Sequence, residues 1–167
     1  MLNIDERLSR AIFDFTKKSV LLTKFAIFCG SFLIWLMMGF AIGRGFSDLP
    51  FLSMMVLIPW VITGIISFLV KRPRPFEAEH YKPIIKLFVY TNSFPSAHST
   101  LAFALPVAFT FKTLFDPLTF TILFACAILV AIGRVAVGVH RLSDVIVGAL
   151  IGGLTGFFIL SLFGLIK

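Results

Sequence analysis

The sequence predicts an all-α bundle of membrane-spanning helices, and three observations carry that expectation. Apolar residues fill 59% of the 167 positions, Phe alone supplies 21 of them, and only 14% of residues are charged. Globular chains are roughly 45–50% apolar and about 25% charged, and runs of about 20 apolar residues signal spans. The mean hydropathy is +1.02, and the basic residues collect at the ends of apolar runs instead of on one solvated face. The formal net charge of +7 therefore suits lipid headgroups or an anionic substrate and is not read as a nucleic-acid surface.

The elements follow in order. Residues 1–19 form an N-terminal segment ahead of one membrane domain, 20–167. Within it, 3–18 read as an amphipathic helix. Ile4, Leu8, Ala11 and Phe15 share its apolar face, Asn3 and Glu6 make a capping box, and Lys17 and Lys18 suit its C-terminal dipole. It is too polar to span and is expected to lie at the interface or on the bundle. Five spans are expected at about 20–43, 50–70, 94–112, 117–137 and 143–166. Short turns at Gly43–Gly45 with Asp48–Pro50, and at Phe115–Pro117, make neighbouring spans antiparallel. Pro59 and Pro106 lie inside spans, which membrane helices tolerate. Gly148, Gly152 and Gly156 give a small-residue face for close packing. Cys29 and Cys126 stand alone in apolar runs and read as small hydrophobic filler. No cleavage site follows the first apolar run, so a removed signal peptide is not expected.

The long polar connection 71–93 and the turn before the last span fall on the same side of the bundle by parity. Three clusters meet there: Lys71-Arg72-Pro73-Arg74-Pro75, then Pro95-Ser96-Ala97-His98, then Arg134 with His140 and Asp144. Charges beside membrane-length apolar runs are costly and point to function. Several cations, two imidazoles, a hydroxyl and a carboxylate suit a phosphate. Arg74 and Arg134 offer planar forks that match its oxygens, and the amides of Ala97 and His98 open a helix, where an anion is favoured. Asp144 lies one turn after His140, so its carboxylate is expected to bond one imidazole nitrogen and leave the other free as nucleophile or base. His98 has no carboxylate in its own cluster and is free to protonate a leaving oxygen. Together they describe in-line phosphoryl transfer through a phosphohistidine. Glu77, Glu79 and His80 read as a solvated turn and not as a metal site. Taken alone, His140 and Asp144 would pass for a helix-end ion pair. A non-catalytic binder or transporter of lipid phosphates is the alternative of another class, although it has little use for that pairing.

The order RP, then PSxH, then R-x5-H-x3-D resembles the type 2 phosphatidic acid phosphatase (PAP2) superfamily, over roughly residues 50–166. The resemblance implies a helical membrane core and metal-independent phosphate ester hydrolysis with no cofactor. It assigns His140 as nucleophile, Asp144 as its orienting carboxylate, His98 as general acid, and Arg74, Arg134, Ser96 and the His98 amide as phosphate ligands. The chain departs from the family pattern in three places. The position where a lysine is usual falls on Ser67 if Arg74 is the motif arginine, or on Ile65 if Arg72 is, and Lys71, one turn after Ser67 and nearer the rim, is expected to deliver an ammonium instead. Gly133 replaces a common Ser, and Ala97 a common Gly.

The RPRPF run with FPSAH further resembles bacterial undecaprenyl diphosphate phosphatases, while phosphatidylglycerophosphate, phosphatidic acid and lipid A phosphatases share the motifs. Lys71, Arg72 and Arg74 are expected to meet a second phosphate, which favours a polyprenyl diphosphate. Expected partners are that substrate and membrane lipids, with no nucleic acid; a homo-oligomer is left open. Twelve of the 15 basic residues fall on the active-site side, which the positive-inside rule would place in the cytoplasm. The resemblance implies a bacterial cytoplasmic membrane with the site facing outward.

Overall fold

The computed structural model describes residues 3–44, 49–86, 92–109 and 116–162. The architecture is an all-helical integral membrane bundle. Helix α1 covers Ile4–Lys17, α2 Val20–Arg44, α3 Leu49–Val70, α4 Pro75–Ala78, α5 Ala97–Ala108, α6 Pro117–Ala136 and α7 Leu142–Leu162. Helices α2, α3, α6 and α7 are long and apolar enough to cross a bilayer. Their outer faces carry exposed Trp35, Phe40, Phe68, Ile122 and Phe157, the surface that hydrocarbon requires.

The expected span 94–112 differs. Its described helix, α5, has 12 residues and rises only about 18 Å; 110–112 lie outside the described residues. Helix α5 packs between α3, α6 and α7, with Ser99, Thr100, Ala102, Ala104, Leu105 and Ala108 all buried. Cys29, Leu33, Ile34 and Met37 of α2 join Leu105, Ala127 and Val130 in the main core. The expected last span holds as far as Leu162; 163–166 lie outside the described residues.

The glycine face of α7 packs on α5. A Cβ on Gly148 would come within 2.6 Å of the Ser96 carbonyl oxygen, and one on Gly152 would collide with that of Thr100. Backbone cannot move aside as a side-chain tip can, so Gly152→Val is expected to destabilise by at least about 1–3 kcal/mol. Gly153 has open space around it, so Gly153→Val is the control. Thermal midpoints in detergent should fall for the first and hold for the second.

Helix α1 carries the expected capping box: the Asn3 amide donates to Glu6 Oε2 at 3.0 Å and the Glu6 amide to Asn3 Oδ1 at 2.9 Å. The face that docks is not the one the apolar spacing picks. Ser9, Phe13 and Thr16 are buried, while Ile4, Leu8 and Phe15 are exposed at 76%, 52% and 61%. Phe13 lies against Tyr81, its ring centroid 4.7 Å away. The apolar stripe thus faces outward, where a headgroup region would receive it.

Two bonds tie the 71–93 connection to the turn between α6 and α7. The Tyr81 hydroxyl donates to the Gly138 carbonyl at 3.0 Å, and the Ile84 amide to the Val137 carbonyl at 3.0 Å. The polar clusters therefore share one rim, as parity requires.

Candidate active site

A cavity of about 670 Å³ opens at that rim, with His98, His140, Arg74 and Arg134 in its lining. Four residues distant in sequence thus meet at one place. Helix ends deliver three of them: His98 begins α5, Arg134 lies in the last turn of α6, and Arg74 caps α4. His140 sits in the turn before α7 and is buried.

The imidazole of His140 is held by backbone. Its Nδ1 lies 2.8 Å from the Ser93 carbonyl oxygen, and because a carbonyl only accepts, Nδ1 carries the proton. Nε2 keeps its lone pair and lies 3.4 Å from an Arg74 terminal nitrogen. The expected direct bond to Asp144 is not formed: Asp144 Oδ2 stands 3.7 Å from Nδ1. That oxygen instead accepts from the Ser93 hydroxyl at 2.5 Å and the Arg141 amide at 2.8 Å. Asp144 thus also reaches the ring through Ser93, whose hydroxyl it holds and whose carbonyl holds Nδ1. Nothing in residue type marks a carbonyl as the orienting group, so the sequence carried no sign of Ser93.

Burial pushes the His140 pKa down to about 4 against an upward pull from Asp144, and the nearby Arg134 and Arg74 guanidiniums add to the fall. The sign follows from burial, the largest cause, which disfavours the cation and outweighs the Asp144 carboxylate that favours it. His140 is expected to stay neutral at pH 5.5, where an ordinary histidine of pKa about 6.5 is mostly charged; imidazole ¹⁵N shifts check this. The same shift should cost stability as pH falls from 6.5 toward 4, because the unfolded chain takes up a proton that the folded site refuses.

Arg134 is 4% exposed. Its Nη1 donates to the Gly30 carbonyl at 2.8 Å, and its Nε has no protein partner among the described residues. Gly30 lies in a π-helical segment of α2, Phe28–Phe32, where the ladder is loosened. The two backbones approach so closely that a Cβ on Gly133 would lie 2.5 Å from the Gly30 nitrogen. The departure at Gly133 thus has a packing reason, since a serine there would collide with α2. Arg74 donates to the Val139 carbonyl at 3.0 Å. Both guanidiniums are anchored by carbonyls and face the cavity.

His98 lines the cavity, and its imidazole makes no hydrogen bond to a described residue. Ser96, expected on the phosphate, is fully buried and caps α5: its Oγ accepts from the Ser99 amide and hydroxyl at 3.5 and 3.2 Å. Lys71 and Arg72 also stand away from the cavity. Lys71 has a left-handed φ of 50° and is exposed, with Nζ 5.5 Å from the Phe68 ring centroid. Arg72 donates to Asp144 Oδ1 at 2.8 Å, the Ser143 hydroxyl at 2.7 Å and Asp5 Oδ2 at 3.2 Å. Sequence reasoning passed over Lys86, which lines the cavity together with Ser67. Glu77 accepts the Arg74 amide, and Glu79 faces Arg10 and Arg141.

Comparison with known proteins places this geometry. The chain is 30% identical over 117 residues to an uncharacterized protein of Methanocaldococcus jannaschii, a match covering 66% of this chain; the chain spans about half, 47%, of that relative's length. Two crystal structures share the fold, each at 24% identity. One is the PAP2 type phosphatidylglycerolphosphate phosphatase of Bacillus subtilis, with a TM-score of 0.75 over 98% of this chain and 86% of that one. The other is LpxE of Aquifex aeolicus, with a TM-score of 0.76 over 96% of both. Residues 48–166, the stretch that carries His98, His140 and both cavity arginines, match the family model of the PAP2 superfamily, and the chain belongs to that superfamily.

Proposed function

We propose that the chain is a membrane lipid phosphatase acting through a phosphohistidine at His140. In the first step His140 Nε2 attacks phosphorus and the bond to the lipid oxygen breaks; that oxygen takes its electron pair and a proton from His98. In the second, His98 removes a proton from water, the hydroxide attacks phosphorus, and the P–N bond breaks to release phosphate and the free ring. Arg74 and Arg134 neutralise the equatorial oxygens, and the unpaired Arg134 Nε and the amides opening α5 are further donors.

The observation that carries the lipid reading is the course of the cavity. It runs from the histidines to Phe32, Trp35 and Trp60 on the outer faces of α2 and α3, which are 58%, 64% and 54% exposed. A headgroup can reach His140 while its tail stays in hydrocarbon.

We favour undecaprenyl diphosphate as substrate. Lys71 and Arg72 do not line the cavity, so the second phosphate falls to Lys86, which makes no hydrogen bond or ion pair to a described residue. Phosphatidylglycerophosphate is the second reading, supported by the name of the Bacillus subtilis neighbour. Turnover of polyprenyl diphosphate, phosphatidylglycerophosphate and phosphatidic acid by the purified chain tests the choice. The diphosphate should lead, and Lys86→Ala should reduce its kcat/KM about tenfold, a loss of one exposed charge contact (~1.4 kcal/mol), with less effect on monophosphates. Equal or better turnover of the glycerolipids would remove the preference.

We place the site on the outer face of a bacterial cytoplasmic membrane. That placement rests on the family resemblance and runs against the charge count: setting aside basic residues with phosphate or ion-pair roles, including Arg10, Lys86 and Arg141, leaves Arg7, Lys17, Lys18, Lys24, Lys71 and Lys82 against Arg44, Lys112 and Lys167, six against three. With the site outward, a reporter fused at Lys167 should be cytoplasmic.

A further inference from the structure

Helix α1 reaches the start of α7 with two side chains. The first amides of a helix have no partner within it, and here they are met from another helix: Leu142 donates to Ser9 Oγ at 2.9 Å and Ser143 to Asp5 Oδ1 at 3.0 Å. Asp5 Oδ2 also accepts from the Ser143 hydroxyl at 2.5 Å and from Arg72 at 3.2 Å. Arg72 lies between two carboxylates, its other arm 2.8 Å from Asp144 Oδ1. Asp144 in turn grips the Ser93 hydroxyl, and the Ser93 carbonyl holds His140 Nδ1. A run of contacts, charge-assisted from Asp5 to the Ser93 hydroxyl and then carried by the Ser93 main chain to its carbonyl, therefore joins the N-terminal helix to the attacking ring. A carboxylate at the start of α7 is also favoured by the helix dipole.

We propose that Asp5 is a positioning residue for phosphoryl transfer, so that α1 is part of the catalytic unit and more than an interfacial attachment. The proposal rests on the reading of His140 as nucleophile. Asp5 fixes Arg72 and Ser143; these fix Asp144; Asp144 fixes Ser93, which sets the tautomer and aim of His140. Neither Asp5 nor Arg72 lines the cavity, so loss of Asp5 should disturb the attack geometry and leave the phosphate ligands Arg74 and Arg134 in place. Small displacements of an attacking atom cost rate while leaving ground-state binding intact.

The test uses the full chain in detergent, with kcat expressed per folded protein from a parallel thermal melt, and with vanadate as the phosphate analogue. Asp5→Ala should lower kcat about tenfold or more, the scale on which outer-sphere partners of catalytic groups act, while KM and vanadate inhibition stay within about twofold. Asp5→Asn keeps an acceptor for the Ser143 amide and should lose less. Arg72→Gln combined with Asp5→Ala should be no worse than the poorer single variant, because both interrupt one chain of contacts. Unchanged kcat per folded enzyme in Asp5→Ala, a parallel loss of kcat and vanadate affinity, or additive effects in the double variant would each overturn the role of Asp5. His140→Ala is run beside them: if it turns over like the parent, the nucleophile assignment fails instead.

Discussion

His140→Ala is expected to lose at least about 10³-fold in kcat on the proposed phosphohistidine route, since removing the proposed nucleophile abolishes the covalent path and leaves only binding and electrostatics. The geometry makes this specific to one atom. Nδ1 is committed to the Ser93 carbonyl, so only Nε2 can attack. The cavity cations do not depend on the ring: Arg74 is anchored on Val139 and Arg134 on Gly30, so the variant should still bind vanadate. His98→Ala should cost about 10²–10⁴-fold on a lipid substrate, the usual worth of a general acid. An aryl phosphate, whose leaving group needs no proton, should restore much of the first step in His98→Ala, read as a burst of phenol release ahead of slow hydrolysis, and none of it in His140→Ala. A non-catalytic binder would release no phosphate in any of these assays.

Arg134→Lys is expected to cost about 10²–10³-fold in kcat/KM, comparable to losing a preorganised donor to a developing oxyanion. Arginine serves two masters here. Nη1 binds the Gly30 carbonyl across the glycine contact between α2 and α6, and the same side chain lines the cavity. An ammonium on a flexible stem cannot hold both. Replacement of Gly30 by alanine should act through the same joint, because its Cβ would lie 2.9 Å from the Gly133 carbonyl.

The sequence made the bundle legible because hydrocarbon-length apolar runs have no other stable use: among the described residues four of the five expected runs are long helices, and the fifth holds the 12-residue α5. Motif spacing brought His98, His140, Arg74 and Arg134 to one cavity, because parity and short turns leave helix ends few places to go. What it missed depends on partners that periodicity does not see. The apolar spacing of α1 picked Ile4, Leu8 and Phe15, yet the docked face carries Asp5, Ser9 and Phe13, because a polar rim rewards hydrogen bonds over apolar area. Arg72 reads as a phosphate cation until Asp5 and Asp144 are seen on either side of it. Gly30 gives no local signal at all; only the opposing Gly133 explains it. Lys86 sits in a stretch with no motif, and its place on the cavity wall is set by the loop's bonds to Val137 and Gly138.

The phosphoenzyme itself is the most direct measurement. Rapid quenching of the parent chain with ³²P-labelled lipid phosphate into base should trap a base-stable, acid-labile label on the peptide containing His140. His98→Ala should accumulate more of it with an aryl phosphate, since water then lacks its base, and His140→Ala should carry none. A label on any other residue, or turnover by the parent with no label at quench times shorter than one catalytic cycle, would contradict the phosphohistidine route.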